Sequence, residues 1–412
     1  MIIKREIFNR ILNSVDSFPV TLITGPRQVG KSFLCSLLHK EKKFNYISLD
    51  VQKNLELAIN DPELFLDTYQ APLIIDEIQK APILFEYLAP IVNNKRFNQQ
   101  NSNGMFVLTG SHQFNLMKNV SESLAGRVSI INVSGLSFNE IIKREEIPFK
   151  IDPKTITKRA LTSFTKKDLI NVIFKGSFPE MHVNKKLEWK NFYDSYVNTY
   201  ISKDVIEILP LKKNSSLFLN FLENIAKNTG GEFIGTNFAR ELGVDLKTIV
   251  NWLGILQTSG LIKILCPWAE QNSIRTLTKR NKVYVSDTGL ACYLCGLYDP
   301  KSLEKSQLSG RLIETFVINE IMKTYENSID QSAKFFYYRD RYKNEIDLVM
   351  LTDGKINLIE IKSGITFRKK DIAAFEYFKA RDYAIDKSGI ICTSPSLYAI
   401  DKDRYVFPIW SI

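Results

Sequence analysis

Apolar runs along the first third of the chain come in two rhythms. Val20-Thr21-Leu22-Ile23-Thr24 is a short β-rich stretch, and Phe33-Leu34-Cys35-Ser36-Leu37-Leu38 follows with the apolar spacing of a helix. Pro72-Leu73-Ile74-Ile75, Met105–Thr109 and Val128–Val133 return as uninterrupted apolar strands, the pattern of a parallel sheet buried on both faces. From about Asn220 to Trp268 the pattern changes to short helices. Leu246, Ile249, Val250, Leu253 and Leu256 recur at helical spacing, Gly260 breaks that helix, and Leu261–Leu265 is strand-like. Thr236 is placed to cap an earlier helix that starts at Asn237 and ends at Gly243. Near the end, Lys343–Met350 and Leu358–Gly364 alternate as strands around the turn-forming Thr352-Asp353-Gly354-Lys355. The class this predicts is α/β, with a parallel-sheet domain first, a winged-helix arrangement in the middle and a second α/β domain last.

Between the first strand and its helix stands Gly25-Pro26-Arg27-Gln28-Val29-Gly30-Lys31-Ser32, a complete Gly-x-x-x-x-Gly-Lys-Ser loop. Gly25 and Gly30 let the backbone curl so that consecutive N–H groups face phosphate oxygens, and the helix N-terminus adds its dipole. In this pattern Lys31 reaches the β/γ-phosphates and Ser32 ligates Mg²⁺, so ATP and Mg²⁺ are the expected cofactors. A buried strand carries charge only at its end, so Asp76 and Glu77 emerge at the carboxyl edge of the sheet, on a strand expected to adjoin the first. Asp76 is assigned to Mg²⁺ and Glu77 to polarising the attacking water. Arg127, after a helical stretch, is the expected cation for γ-phosphate charge, from the same chain or from a neighbouring subunit of a homo-oligomer.

With 412 residues, 44% hydrophobic and 24% charged, the chain has the apolar content for two or three cores. Four segments are expected: an ATPase domain over 1–150, a helical linker or lid over 151–215, a winged helix over 216–270 and a last domain over 271–412. The first residues lack an apolar signal core and no later run is long enough to cross a bilayer, so a cytoplasmic protein with no membrane partner is expected. Cys292 and Cys295 form one close pair without a second, which excludes a four-cysteine zinc site. The net charge of +10 permits attraction to nucleic acid without requiring it.

In the terminal hairpin Glu345 and Asp347 share one face, Glu360 and Lys362 share one face, and Ile346, Leu348, Ile359 and Ile361 pack into a core. Converging acids make an oxygen-rich Mg²⁺ site, and a lysine beside them can activate water or stabilise a phosphorane; the alternative is a solvent face paired as surface ions.

The first set of motifs resembles a family of prokaryotic AAA-type ATPases in which the P-loop domain is joined to a C-terminal domain of long-unknown function. Its marks are GPRQVGKS, LIIDEIQ, LTGS, SLAGR, Leu136–Glu140, Gly176–Glu180 and Ser286–Leu290. The resemblance implies AAA strand order, a sensor role for Ser111 and a linker or lid built from Gly176–Glu180 and a helix over Tyr193–Asp204. The Asp…Glu-x-Lys spacing is similar to the PD-(D/E)XK nuclease fold, which implies Asp347 and Glu360 as metal ligands, Lys362 as the catalytic lysine and Glu314 as an auxiliary metal-site acid on a preceding helix. The expectation is an ATP-hydrolysing enzyme coupled to a nuclease-like domain with DNA as partner, or a switch that passes its ATP state to a protein.

Overall fold

The structure is a computed structural model that describes residues 2–110, 123–159, 163–205, 215–268, 280–378 and 383–412. Its first sheet contains β1 (Val20–Thr24), β2 (Asn45–Ser48), β3 (Leu73–Asp76), β4 (Phe106–Gly110) and β5 (Val128–Asn132). Every neighbouring pair is parallel, in the order β2-β3-β4-β1-β5. The apolar runs are explained by burial on both faces. Along β1, Val20 and Leu22 enter the core that holds the helix Leu84–Phe97, while Ile23 enters the core shared by the helices Ile7–Ser17 and Lys31–Lys42. One expectation needs correction. The strand ending in Asp76 does not adjoin β1, because β4 lies between them, and the two sites meet above the carboxyl end of β4.

The second sheet orders its main path as β14-β15-β13-β11-β10-β9-β7-β8-β6. Its strands are β6 (Gly231–Glu232), β7 (Ile262–Pro267), β8 (Lys282–Val285), β9 (Lys334–Arg339), β10 (Glu345–Thr352), β11 (Lys355–Ile361), β12 (Ala384–Ile385, paired with β11), β13 (Ser388–Cys392), β14 (Tyr398–Ala399) and β15 (Arg404–Pro408). Before it, the helix Gly235–Leu242 ends at Gly243, whose φ of 66° suits a residue without Cβ, and the helix Leu246–Thr258 starts under an Asp245 side chain that accepts the Thr248 N–H at 2.6 Å. These two helices are followed by β7, which pairs antiparallel with β8. Ile249, Trp252 and Leu256 are buried, whereas Leu246 and Val250 face solvent. The sheet does not stop at residue 270, since β7 pairs in parallel with β9 through Cys266↔Phe336.

β9, β10 and β11 form an antiparallel meander, closed between the last two by Asp353-Gly354 with φ of 51° and 72°, the positive pair that a type I′ hairpin turn requires. β13 then returns parallel to β11. Over one face lies the helix Ser309–Glu326, buried from Leu312 to Tyr325 with Glu314 half-buried. Near the carboxyl end a 3-10 turn Lys369–Ile372 is followed by the short helix Ala373–Tyr377. The expected Tyr193–Asp204 helix is two segments, Trp189–Tyr196 and a π-type run Val197–Val205. None of the helices among the described residues is long and apolar enough to cross a membrane.

Candidate nucleotide site and the C-terminal acidic cluster

Gly25 has a φ of 139°, and a Cβ there would stand 2.1 Å from the Val133 carbonyl oxygen, so only glycine lets the loop press against the segment after β5. Gly30, at φ 94°, turns the chain into the helix Lys31–Lys42. Lys31 is 7% exposed, and its ammonium donates to the carbonyls of Gly25 at 2.9 Å and Pro26 at 2.7 Å. Its partners are dipoles. Burial lowers its pKa to about 8, although Glu77 and Asp76 pull the other way.

Asp76 ends β3 and is almost enclosed. Its carboxylate accepts the Tyr46 hydroxyl at 2.7 Å, the Thr109 hydroxyl, and the Ser32 hydroxyl at 3.4 Å. Glu77 follows with φ 60°, its N–H donating to Thr109 Oγ1 at 3.1 Å and its carboxylate accepting from the Gln79 amide. A serine hydroxyl beside a braced carboxylate at the end of a phosphate loop is a donor set that fits Mg²⁺.

The rest of the loop is fastened from outside. Val29 accepts from Arg5 Nη1 at 2.6 Å; the same buried guanidinium donates to the Ser134 carbonyl at 2.9 Å and to Glu140 at 3.2 Å. Arg27 stands 5.8 Å from the centre of the Tyr200 ring, and Pro26 packs on Gly260. Gln28 (φ 65°) and Gly30 line a cleft of about 540 Å³ together with Ile2, Ile3, Phe33 and Phe192. Ser111 lies outside the described residues.

Arg127 is not brought to this site within one chain. It precedes β5, whose Val128 pairs with Val20 at the amino end of β1, so it sits at the sheet edge away from the loop, about 13 Å down the strand at about 3.3 Å per residue. There its Nε donates to Asn93 at 2.8 Å and its Nη1 to the Ala125 carbonyl at 3.1 Å.

The C-terminal residues do converge. The register Leu348↔Ile359, continued by one residue, sets Asp347 opposite Glu360, and Asp347 accepts the Ile361 N–H at 2.8 Å. Glu360 accepts from Lys362 at 2.5 Å, and Glu314, on the long helix, accepts from Tyr284 at 2.8 Å. Burial, joined by the Asp347 charge, pushes the Glu360 pKa up to about 8; burial raises Glu314 to about 7. In their midst stands Lys282 of β8, 3.1 Å from Glu314, 2.7 Å from Glu345 and 3.7 Å from Asp347. Burial works against its charge, but Tyr284, Glu314, Asp347 and Glu345 prevail and hold its pKa well above the ordinary lysine value. The metal expected on Glu314, Asp347 and Glu360 does not fit this arrangement, because ammonium groups already stand on the acids, Lys282 beside Glu314 and Asp347 and Lys362 on Glu360. Among the described residues no group of three or more His, Cys, Asp or Glu side chains is set to hold a metal ion.

Thr109, Arg5, Lys282 and Tyr284 were not assigned from sequence. Thr109 carried a weak signal as the hydroxyl closing an apolar strand, and Lys282 and Tyr284 as alternate polar positions in Lys-Val-Tyr-Val. The segments Gly176–Glu180 and Ser286–Leu290 are halves of one junction. Asp287 accepts the Ser177 N–H at 2.6 Å, the Ser177 hydroxyl at 2.7 Å and the Tyr193 hydroxyl at 2.8 Å.

Residues 17–142 match a family described as an AAA domain, and they form an AAA-type ATPase-like domain. Residues 166–301 and 309–412 match two families, each described as a domain of unknown function. An uncharacterized protein of Mycobacterium tuberculosis is 26% identical over 363 residues, covering 88% of this chain and 74% of its own length. Another, from Methanocaldococcus jannaschii, is 25% identical over 374 residues, covering 87% and 78%. Among solved structures, a Walker-type ATPase of Pyrococcus abyssi superposes with a TM-score of 0.43 at 15% identity, covering 71% of this chain and 96% of that one.

Proposed function

We propose that the chain binds Mg²⁺-ATP at Gly25–Ser32 and hydrolyses it by in-line attack of water on the γ-phosphate. The observation that carries this reading is the meeting of Ser32 with Asp76, 3.4 Å apart, although β3, which ends in Asp76, and β1, which leads into the loop, are two places apart in the sheet. On binding, Lys31 exchanges the carbonyls of Gly25 and Pro26 for phosphate oxygens, and the N–H groups of the loop hold the rest of the triphosphate. Asp76 and Ser32 hold Mg²⁺, which neutralises charge on the β- and γ-phosphates. Thr109 fixes both Asp76 and the backbone of Glu77, and Glu77 orients the water. Ser111 is carried as the sensor by resemblance. The cleft of Ile2, Ile3, Phe33 and Phe192 is apolar and opens beside Gln28 and Gly30, where it suits the flat face of the base. Phosphate release from ATP tests the reading: it should require Lys31 and Glu77, and hydrolysis by Lys31→Ala at the wild-type rate would overturn it.

The ATP cycle is read as passing to the C-terminal half through two contacts. One is the Asp287–Ser177 junction; the other is the helix Ser309–Glu326, whose Glu320 accepts the Phe138 N–H at 2.6 Å and whose Lys323 donates to the Leu136 carbonyl at 2.9 Å. The helices Gly235–Leu242 and Leu246–Thr258 with β7 and β8 support a winged-helix reading, with DNA or a protein as its partner. A second reading of the last domain, a nuclease-like unit acting on DNA, is favoured by Asp347 facing Glu360 beside Lys362 with Glu314 above them. Plasmid incubated with wild type and Lys362→Ala, with and without ATP, separates this from a switch that cuts nothing: equal outcomes in every lane favour the switch.

A further inference from the structure

We propose that Lys282 is a built-in cation that occupies the C-terminal acidic cluster in place of a divalent metal. It bears on the nuclease-like reading and not on the nucleotide site. Lys282 is 3% exposed, and its ammonium lies among Glu314, Glu345 and Asp347 with Tyr337 5.4 Å away beneath it. The remaining acid, Glu360, is taken by Lys362, and Glu345 is also gripped by Arg339 at 3.4 Å. A dication placed among these carboxylates would face a buried ammonium a few ångströms away, and the carboxylates would have to leave one cation for the other.

Nor can Lys282 retreat readily. Its backbone pairs with Glu232 of β6 on one side and Leu265 of β7 on the other, so its Cα is fixed inside the sheet. One oxygen is left over: Glu360 Oε2 is buried and has no hydrogen-bond partner. Once the ammonium is gone, that oxygen, Asp347 Oδ1 and Glu314 Oε1, which keeps the Tyr284 hydroxyl, stand together as a donor set for a metal, while Asp347 Oδ2 stays on the Ile361 N–H.

The test is Mn²⁺ binding by the nucleotide-free full chain, read from loss of the free-ion electron paramagnetic resonance signal. Wild type should bind no more Mn²⁺ than the Asp347→Asn/Glu360→Gln double variant, which leaves the P-loop contribution in place for subtraction. Lys282→Met, close in length and uncharged, should bind Mn²⁺ at least tenfold more tightly than wild type, and adding Glu360→Gln should remove the gain. Wild-type binding that disappears in the double acid variant overturns the proposal while leaving the nuclease-like reading standing. A folded Lys282→Met protein with no gain overturns both. Should Lys282→Met not fold, wild type against the double acid variant decides the question alone.

Discussion

Two lysines are buried to a similar degree at the two chemical centres of this chain, and they are held by opposite kinds of partner. Lys31 rests on neutral carbonyls, and burial brings its pKa down to about 8; Lys282 rests on carboxylates, which hold its pKa far above the usual range. A lysine kept by dipoles gains when an anionic ligand arrives. A lysine already surrounded by anions has nothing to gain from one, and removing it leaves charge uncompensated. Depth of burial therefore says little about which cation is available for chemistry; the charge of its partners decides.

The largest effect is expected at Lys31. Lys31→Ala should weaken ATP binding or turnover by at least ~10²-fold while moving the unfolding midpoint little, because the carbonyls it leaves can be hydrated; titration with a fluorescent ATP analogue and a melting curve check both halves. Glu77→Gln should keep ATP affinity and slow phosphate release by about 10²–10⁴-fold, the range for a lost general base, and single-turnover kinetics would expose the split. At the other centre, Lys282→Ala should behave in reverse, costing about 3–5 kcal/mol of stability in urea unfolding with no change in ATP affinity. If Lys282→Ala were as stable as wild type, the contrast between the two lysines would collapse.

A smaller effect tests the seam between the centres. Glu146 accepts from Asn327 at 2.7 Å at the end of the long helix, and burial raises its pKa to about 7. Its folded-state pKa lies above the unfolded value, so between pH 4.5 and 7 the folded chain holds a proton that the unfolded chain has released. Stability should therefore fall as pH rises through that window and stay lower above it. Glu146→Gln should flatten the profile and stabilise the protein at pH 8 by about 1–3 kcal/mol, read from melting curves at pH 5 and pH 8.

Much of the first centre could be read from the chain alone, because Gly25–Ser32 and Leu73–Glu77 are local patterns whose chemistry and backbone demands lie in consecutive residues. Thr109 and Arg5 could not, since their roles depend on which strand ends and loops become neighbours, 33 residues away for Thr109 and Asp76 and 135 for Arg5 and Glu140. The acids of the hairpin were legible through period-two alternation and a recognisable turn. Lys282 was hidden because it enters from β8, across two intervening strands, and nothing in a lone lysine at the head of an apolar strand states which side chains it will meet. The same limit holds for Arg127: its position after a glycine gives no sign of which end of the sheet it occupies, and within one chain that end is the one away from the loop.

The long helix ties these observations to experiment in another way. One unbroken rod carries Glu314 into the acidic cluster and, two turns on, Glu320 and Lys323 into the backbone of Leu136 and Phe138. Cutting the gene so as to express either half by itself would strip a wall from both hearts of the molecule, and such fragments should be insoluble unless produced together and allowed to reassemble.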